Sequence, residues 1–256
     1  MSSERVSIPV LNKLVPSGVR PGTVLVVEYD PDSQWFAFAT TIVALFLHQD
    51  GRVSYDAMSR PTEDVKRGLL ALGVDVSQVQ KSGQLWLNDW YSATLAGGQL
   101  GSPDHRSGIF QQIDGGVRAL SLKIADLSLH WLKSLKSMSQ ETANRTIHTI
   151  IVAESNSEVL RFNEESAYLE WTISRVNPTS RKRRFVTLEG FVRGIHSEPF
   201  YRRLENAADG IIDLKVMEQE NAAKNFLRVR SLKGQPHDSR WHEMEIRPNG
   251  EAFLTS

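Results

Sequence analysis

Three carboxylates, a serine and three aromatics crowd one short stretch, Glu28-Tyr29-Asp30-Pro31-Asp32-Ser33-Gln34-Trp35-Phe36. Carboxylates at a helix start can ligate a cation or accept backbone N–H bonds as caps, and they repel phosphate. Farther on, Glu154-Ser155 closes the apolar run Thr149-Ile150-Ile151-Val152-Ala153, where a strand end delivers a carboxylate to a ligand or to a cap. Arg181-Lys182-Arg183-Arg184 is the one dense basic run, without interleaved aromatics, and is read as a solvated loop before a strand rather than a phosphate-backbone contact. His237 and His242, with Asp238, Glu243 and Glu245 nearby, match no standard zinc spacing and are read as surface histidines. Gly97-Gly98-Gln99-Leu100-Gly101 has the glycines of a nucleotide loop, but no lysine follows and Pro103 interrupts any helix start. No G-x-S-x-G elbow exists.

Composition removes further classes. The 256 residues hold 30 Lys+Arg against 30 Asp+Glu, so no global field gathers nucleic acid or anionic membrane. With no cysteine, disulfides, thiolate metal sites and cysteine nucleophiles are out. The polar start Met1-Ser2-Ser3-Glu4-Arg5 lacks the apolar core of a secretory signal, and the apolar stretch Trp35 to Leu47 is too short to cross a bilayer. The expectation is a soluble cytoplasmic protein with one domain over residues 6–256 and no resident metal.

The elements that must position these residues alternate. Val24-Leu25-Val26-Val27 reads as a strand buried on both faces, followed by a helix starting near Ser33 and running to about His48. Arg52 to Tyr55 is a second strand, Pro61-Thr62-Glu63-Asp64 opens a helix with Val65, Leu69 and Leu72 on one face, and Leu85-Trp86-Leu87 is a third strand. Residues 96–116 read as a glycine-rich loop, and Val117 to Leu135 repeats at helical spacing. After the strand Thr149 to Ala153 the pattern predicts one helix from about Ser157 to Val176, then the strand Phe185 to Leu188. From Asp209 onward come only strands: Ile211 to Val216, Asn225 to Arg230, Met244 to Ile246 and Ala252 to Leu254. An α/β domain results, its mostly parallel twisted sheet flanked by helices and finished by antiparallel strands at the C-terminal edge.

Several segments, in order, resemble the RecA-like ATPases of the KaiC and RadA/Rad55 group over nearly the whole chain. Leu11-Asn12-Lys13-Leu14 with Gly18 to Thr23 is similar to that family's opening, Leu72-Gly73-Val74-Asp75 to its "LG-hydrophobic-D" turn, and Ser82 to Asp89 to its "G-x-L-x-I-x-D" strand. Ala208 to Leu214 resembles "A-D-G-V-I-x-L", and Leu227 to His237 resembles "R-x-(I/V)-x-K-x-R-G-x-x-H". Met244-Glu245-Ile246 with Gly250 resembles its close.

The departures fall on the positions that carry the family's chemistry. The phosphate loop is replaced by Asp30, Asp32, Ser33, Gln34, Trp35 and Phe36, with no glycine between Gly22 and Gly51 and no lysine between Lys13 and Lys66. A phosphate loop needs glycines, a lysine and a hydroxyl to cradle phosphates and magnesium. The paired catalytic glutamates map to Met58-Ser59, and the magnesium-holding aspartate to Glu154 with Ser155. Asp30, Asp32 or Ser33 are expected to cap the first helix, with Trp35 and Phe36 plugging the old pocket. The resemblance thus implies a pseudo-ATPase acting as a regulatory or protein-interaction module, as a homo-oligomer or beside an active paralogue, without cofactor. The alternatives are an ATPase that binds ATP and magnesium with Lys13, Arg20 or a neighbouring subunit's Arg230 replacing the lost lysine, and a Rad55-like mediator of DNA recombination using Arg181 to Arg184. Nucleic acid is the less expected partner. Arg230 and Lys233 stand where relatives reach a neighbouring subunit's nucleotide; the simpler expectation is solvated charges on an edge strand.

Overall fold

In the computed structural model the described residues are 5–91, 148–161, 163–219 and 222–255. The expected loop at 96–116 and helix from Val117 to Leu135 lie outside them. A 3₁₀ turn, Pro9–Lys13, precedes β1 (Val24–Tyr29), α1 (Trp35–His48), β2 (Arg52–Ala57), α2 (Thr62–Ala71), α3 (Val76–Lys81) and β3 (Leu85–Asp89). Next come β4 (Thr149–Ala153), α4 (Asn156–Leu160), α5 (Glu165–Trp171), a π-helical turn (Thr172–Val176) and α6 (Asn177–Arg183). The chain then runs through β5 (Val186–Val192), α7 (Glu198–Ala207), β6 (Gly210–Gln219), β7 (Ala222–Leu232), β8 (His242–Ile246) and β9 (Ala252–Leu254).

One nine-stranded sheet has the order β3-β2-β4-β5-β1-β6-β7-β8-β9. The first six of these strands pair in parallel, and β6 through β9 pair antiparallel. After β1 the chain moves to one side of it, returns through β4 and β5, and crosses to β6 on the other. The carboxyl end of β1 is therefore a topological switch point, where open α/β sheets form their ligand crevice.

The sheet is covered on two faces. Leu25, Val27 and Tyr29 of β1 pack with Phe38, Ile42 and Val43 of α1 in the larger apolar cluster. Val26 faces the other way, into a smaller cluster with Tyr168 and Leu169 of α5, Phe191 of β5, and Phe200 and Leu204 of α7. Full burial of all six β1 residues follows from this two-sided cover. Strand β9 is tied to α1 by Ala252 N–H donating to Thr41 Oγ1 at 2.7 Å.

Some local expectations are corrected. The single helix expected from Ser157 to Val176 is broken after Leu160, and Thr172–Val176 is a π-helical turn that passes directly into α6. The basic run is no loop: Arg181, Lys182 and Arg183 form the last turn of α6, and Arg184 terminates it in the left-handed conformation at φ 63°. Cations there offset the helix's negative end, which explains a composition that resembled a loop. No helix among the described residues is long and apolar enough to cross a membrane.

Candidate functional site

The carboxyl ends of β1, β2 and β4 converge at the switch point, and the turn from Asp30 to Gln34 leads into α1 there. The expected caps are not made. The N-cap of α1 is Gln34, whose side chain makes no cap bond. Its backbone N–H instead donates to Asn225 Oδ1 of β7 at 2.9 Å. Asp30 is turned to the neighbouring strand, accepting from Val216 N–H at 3.0 Å. Ser33 Oγ is buried without a partner, and Asp32 is exposed. The sequence contains suitable capping residues, but β6 and β7 lie close enough to take over both bonds.

Trp35 is 3% exposed and occupies the centre of this region. Its indole N–H donates to the backbone oxygen of Glu154 at 2.6 Å, and its ring stacks on Tyr29 with centroids 5.6 Å apart. Tyr29 in turn donates to Ser155 Oγ at 3.0 Å. Room for the indole comes from Gly190 of β5: a Cβ there would lie 2.2 Å from the Glu154 oxygen and 2.9 Å from the indole nitrogen.

The Glu154 side chain, 1% exposed, is saturated by the segment following β2. One carboxylate oxygen accepts from Met58 N–H at 3.2 Å and Ser59 N–H at 3.4 Å. The other accepts from Ser59 Oγ at 2.6 Å and Arg60 Nε at 2.7 Å. Arg60 also lies 3.6 Å over the ring of Phe36, so one guanidinium joins the carboxylate to the first turn of α1. The two positions matched to the family's glutamates and magnesium ligand are thus brought into contact, as donors and acceptor of one another.

Beside this site, on the second face, lies a lattice of acids and arginines. Glu28 of β1 and Asp213 of β6 are register partners. Arg230 donates to Glu28 at 2.6 Å and to Glu205 of α7 at 2.8 Å. Asp213, 1% exposed, takes Arg193 at 2.8 Å on one oxygen and Arg228 at 2.7 Å on the other. A register shift between Ile211 and Ile212 makes Arg230 the extra residue of β7, which redirects its side chain. Burial, and next the neighbouring Glu205 carboxyl, outweigh the Arg230 guanidinium and push Glu28 up to about 7. On the adjacent strand β5, Glu189 is 2% exposed with an unpartnered oxygen, and burial pushes it to about 7 as well.

Arg230 is therefore not the solvated edge charge expected of it. It is held inside the chain, and β7 lies between β6 and β8 over Asn225–Leu227. Lys233 is exposed, but its ammonium donates to the Asn206 carbonyl at the end of α7 at 2.6 Å. The substitutes considered for a phosphate-binding lysine are also committed elsewhere. Lys13 donates to the Thr255 carbonyl at 2.5 Å, and Arg20 to the Gly234 carbonyl at 2.9 Å, at the amino end of β1. His237 and His242 do not share a ligand: the first contacts the Gln235 carbonyl and the second Asp238. Among the described residues no group of three or more His, Asp or Glu is placed to hold a metal.

Sequence reading missed Arg60, Asp213, Arg193, Glu189 and Gly190, and placed Glu28 in the turn's acidic cluster rather than in an ion-pair network. Glu28 and Glu189 did leave a signal, an acid within an otherwise apolar strand run, which requires an internal partner or a raised proton affinity.

No family model and no curated protein matches the sequence. Among solved structures the chain is similar to a KaiC-like protein from the hyperthermophilic archaeon Pyrococcus horikoshii, with a TM-score of 0.67 at 17% identity. The match covers 99% of this chain and 100% of that one. The chain has the KaiC-like RecA fold.

Proposed function

We propose that this chain is a pseudo-ATPase of the KaiC/RecA-like fold, a non-catalytic regulatory or protein-interaction module. The observation that carries the reading is the pairing of Trp35 with Glu154. The indole occupies the position from which a phosphate loop would present its lysine, and the carboxylate is consumed by Met58, Ser59 and Arg60. A triphosphate bound there would meet Asp30 and Asp32 in place of cations, with no lysine in the turn to offset them. Met58 and Ser59 offer no carboxylate to take a proton from attacking water.

Like others of its fold, such a module would act through contacts with copies of itself or with an active paralogue, in the cytoplasm. The test is isothermal titration with ATP and magnesium, together with phosphate release. The expected result is no binding tighter than the millimolar range and no turnover above buffer. Sustained phosphate release that disappears in Glu154→Ala would instead establish an ATPase with an unconventional phosphate site.

A further inference from the structure

We propose that His196 is a proton-operated latch: the neutral imidazole fastens the segment that follows Glu154 to β5 and α5, and a proton on the ring releases it. The inference is independent of whether the first site takes a nucleotide.

Four elements meet at this ring. His196 lies in the turn between β5 and α7, and its Nε2 is 2.8 Å from Ser157 Oγ of α4. Ser157 Oγ also accepts from Val192 N–H, at the end of β5, at 2.9 Å. On the other side of the ring Nδ1 faces Glu165 Oε1 of α5 at 3.7 Å. Glu165 is fixed there by the backbone N–H and the hydroxyl of Ser197, the N-cap of α7. Phe200 and Tyr201 pack on the imidazole with centroids at 5.1 and 5.8 Å, and the Tyr201 hydroxyl donates to the Val192 carbonyl.

Proton counting gives the arrangement its direction. A serine hydroxyl has one hydrogen, and the Ser157 oxygen already holds Val192 N–H. That hydrogen is left for Nε2, which accepts it only while the ring is neutral with its own proton on Nδ1. The same tautomer directs the Nδ1 proton at Glu165. Protonation puts a hydrogen on Nε2 as well, and the Ser157 hydroxyl, in a residue 1% exposed, loses its acceptor. Burial holds His196 below its ordinary 6.5, and the Glu165 carboxylate offsets only part of this.

Among the described residues Glu165 is the charged group that acts on the ring. On the other elements around it, Glu158 of α4 pairs with Arg161, Glu198 of α7 with Arg202, Arg193 of β5 with Asp213, and Glu28 of β1 with Arg230. Glu164 and Glu170, which flank Glu165 on α5, are exposed.

A serine, an imidazole and a carboxylate in series also form the relay of nucleophilic hydrolases. Buried as it is, Ser157 is closed to a substrate, and the relay acts on structure instead. What it holds is the candidate site. Helix α4 follows Ser155 directly, Ser155 Oγ accepts from Tyr29, and the Glu154 carbonyl accepts from the Trp35 indole. Loosening Ser157 therefore loosens the strand end on which the Tyr29–Trp35 stack rests.

The unfolded ring takes its proton near 6.5 and the folded ring only at lower pH, so between these values the unfolded chain holds more protons. The latch's contribution is complete above about 6.5 and is lost as pH falls through the folded value. This sign is opposite to that of Glu28 and Glu189, so the readout must be local.

Nuclear magnetic resonance of the full chain from about pH 8 to about pH 5 tests this. The expected result is a His196 ring, assigned by its absence in His196→Gln, that titrates below 6.5. With the same midpoint, protection of the Val192 amide from hydrogen exchange, corrected for its intrinsic pH dependence, falls severalfold. The Ala252 amide, bonded to the Thr41 hydroxyl on the α1 face of the sheet, is the control and keeps its protection. Ser157→Ala lowers Val192 protection at every pH, and Glu165→Gln, which keeps an acceptor for Ser197, moves the ring's midpoint lower still. The proposal is overturned by a midpoint at or above 6.5, or by one that does not move in Glu165→Gln. It is also overturned if Val192 protection is independent of pH, or keeps its pH dependence in His196→Gln.

Discussion

The two ends of this sheet treat charge in opposite ways. At the carboxyl ends of the strands, the buried carboxylates Glu154, Glu28 and Asp213 are each met by half-buried arginines. At the amino ends, Arg181 pairs with Asp209, and Arg20 and Lys233 donate to backbone carbonyls. The first end resembles a core and the second an exposed surface held by carbonyl contacts and one ion pair. Substitutions should therefore cost much stability at the first end and little at the second.

The largest effect is expected from Trp35→Ala, which removes a buried ring and its bond to the Glu154 carbonyl. A loss of about 3–5 kcal/mol in urea unfolding is predicted. A loss under about 1 kcal/mol would mean that the ring is not a structural plug, and the contrast between the ends would fail. Next is Arg230→Ala, which leaves Glu28 beside Glu205 with Arg193, at 3.9 Å, as its remaining cation, while Asp213 keeps Arg193 and Arg228. About 2–3 kcal/mol is expected, below the cost of breaking a fully isolated buried pair. Recovery of the loss in a Glu28→Gln background would identify the stranded charge as its cause.

The third concerns pH. Glu28 and Glu189 both have folded values raised from the usual 4.5 to about 7, so the folded state holds more protons than the unfolded one between those values. Stability should thus be fully present below about 4.5, fall as pH rises toward about 7, and level off above it. Glu189→Gln should flatten this fall and raise stability at pH 8 by about 1–3 kcal/mol with little change at pH 4. Unchanged denaturation profiles would show that the buried carboxyl finds a partner in solution. The smallest effect is expected at the amino end: R20A/K182A/K233A should leave the melting temperature within about 2 °C of the parent. A large drop would show that those cations support the fold.

How much was legible in sequence follows the same division. Strand runs such as Val24 to Val27 and Thr149 to Ala153 declare themselves because a strand covered on both faces tolerates few polar residues. The order of elements along the chain could be read from their alternation, whereas the switch point required the strand pairing. The bonding at the site could not. Asp30, Asp32 and Ser33 are good local caps, yet Asn225 and Val216, nearly two hundred residues away in sequence, take part in the bonds instead. Arg60 was invisible for a similar reason, since nothing in its own neighbourhood indicates that it bridges Glu154 and Phe36. The break after Leu160 was missed because apolar spacing continues across it.

Gly190 carries a historical consequence. Without a side chain it leaves space for the indole beside the Glu154 carbonyl, and any larger residue would collide with both. Once Trp35 is seated, glycine at 190 cannot be exchanged without displacing it, and an ancestor with a bulkier residue there could not have accepted the tryptophan. Because the nearer collision is with the Glu154 backbone, glycine is required at 190 whatever stands at 35, whereas tryptophan at 35 requires glycine at 190. Reversal to a small residue at 35 would leave an apolar void before any lysine arrived to make it useful, so descent through this pair runs more easily in one direction than in the other.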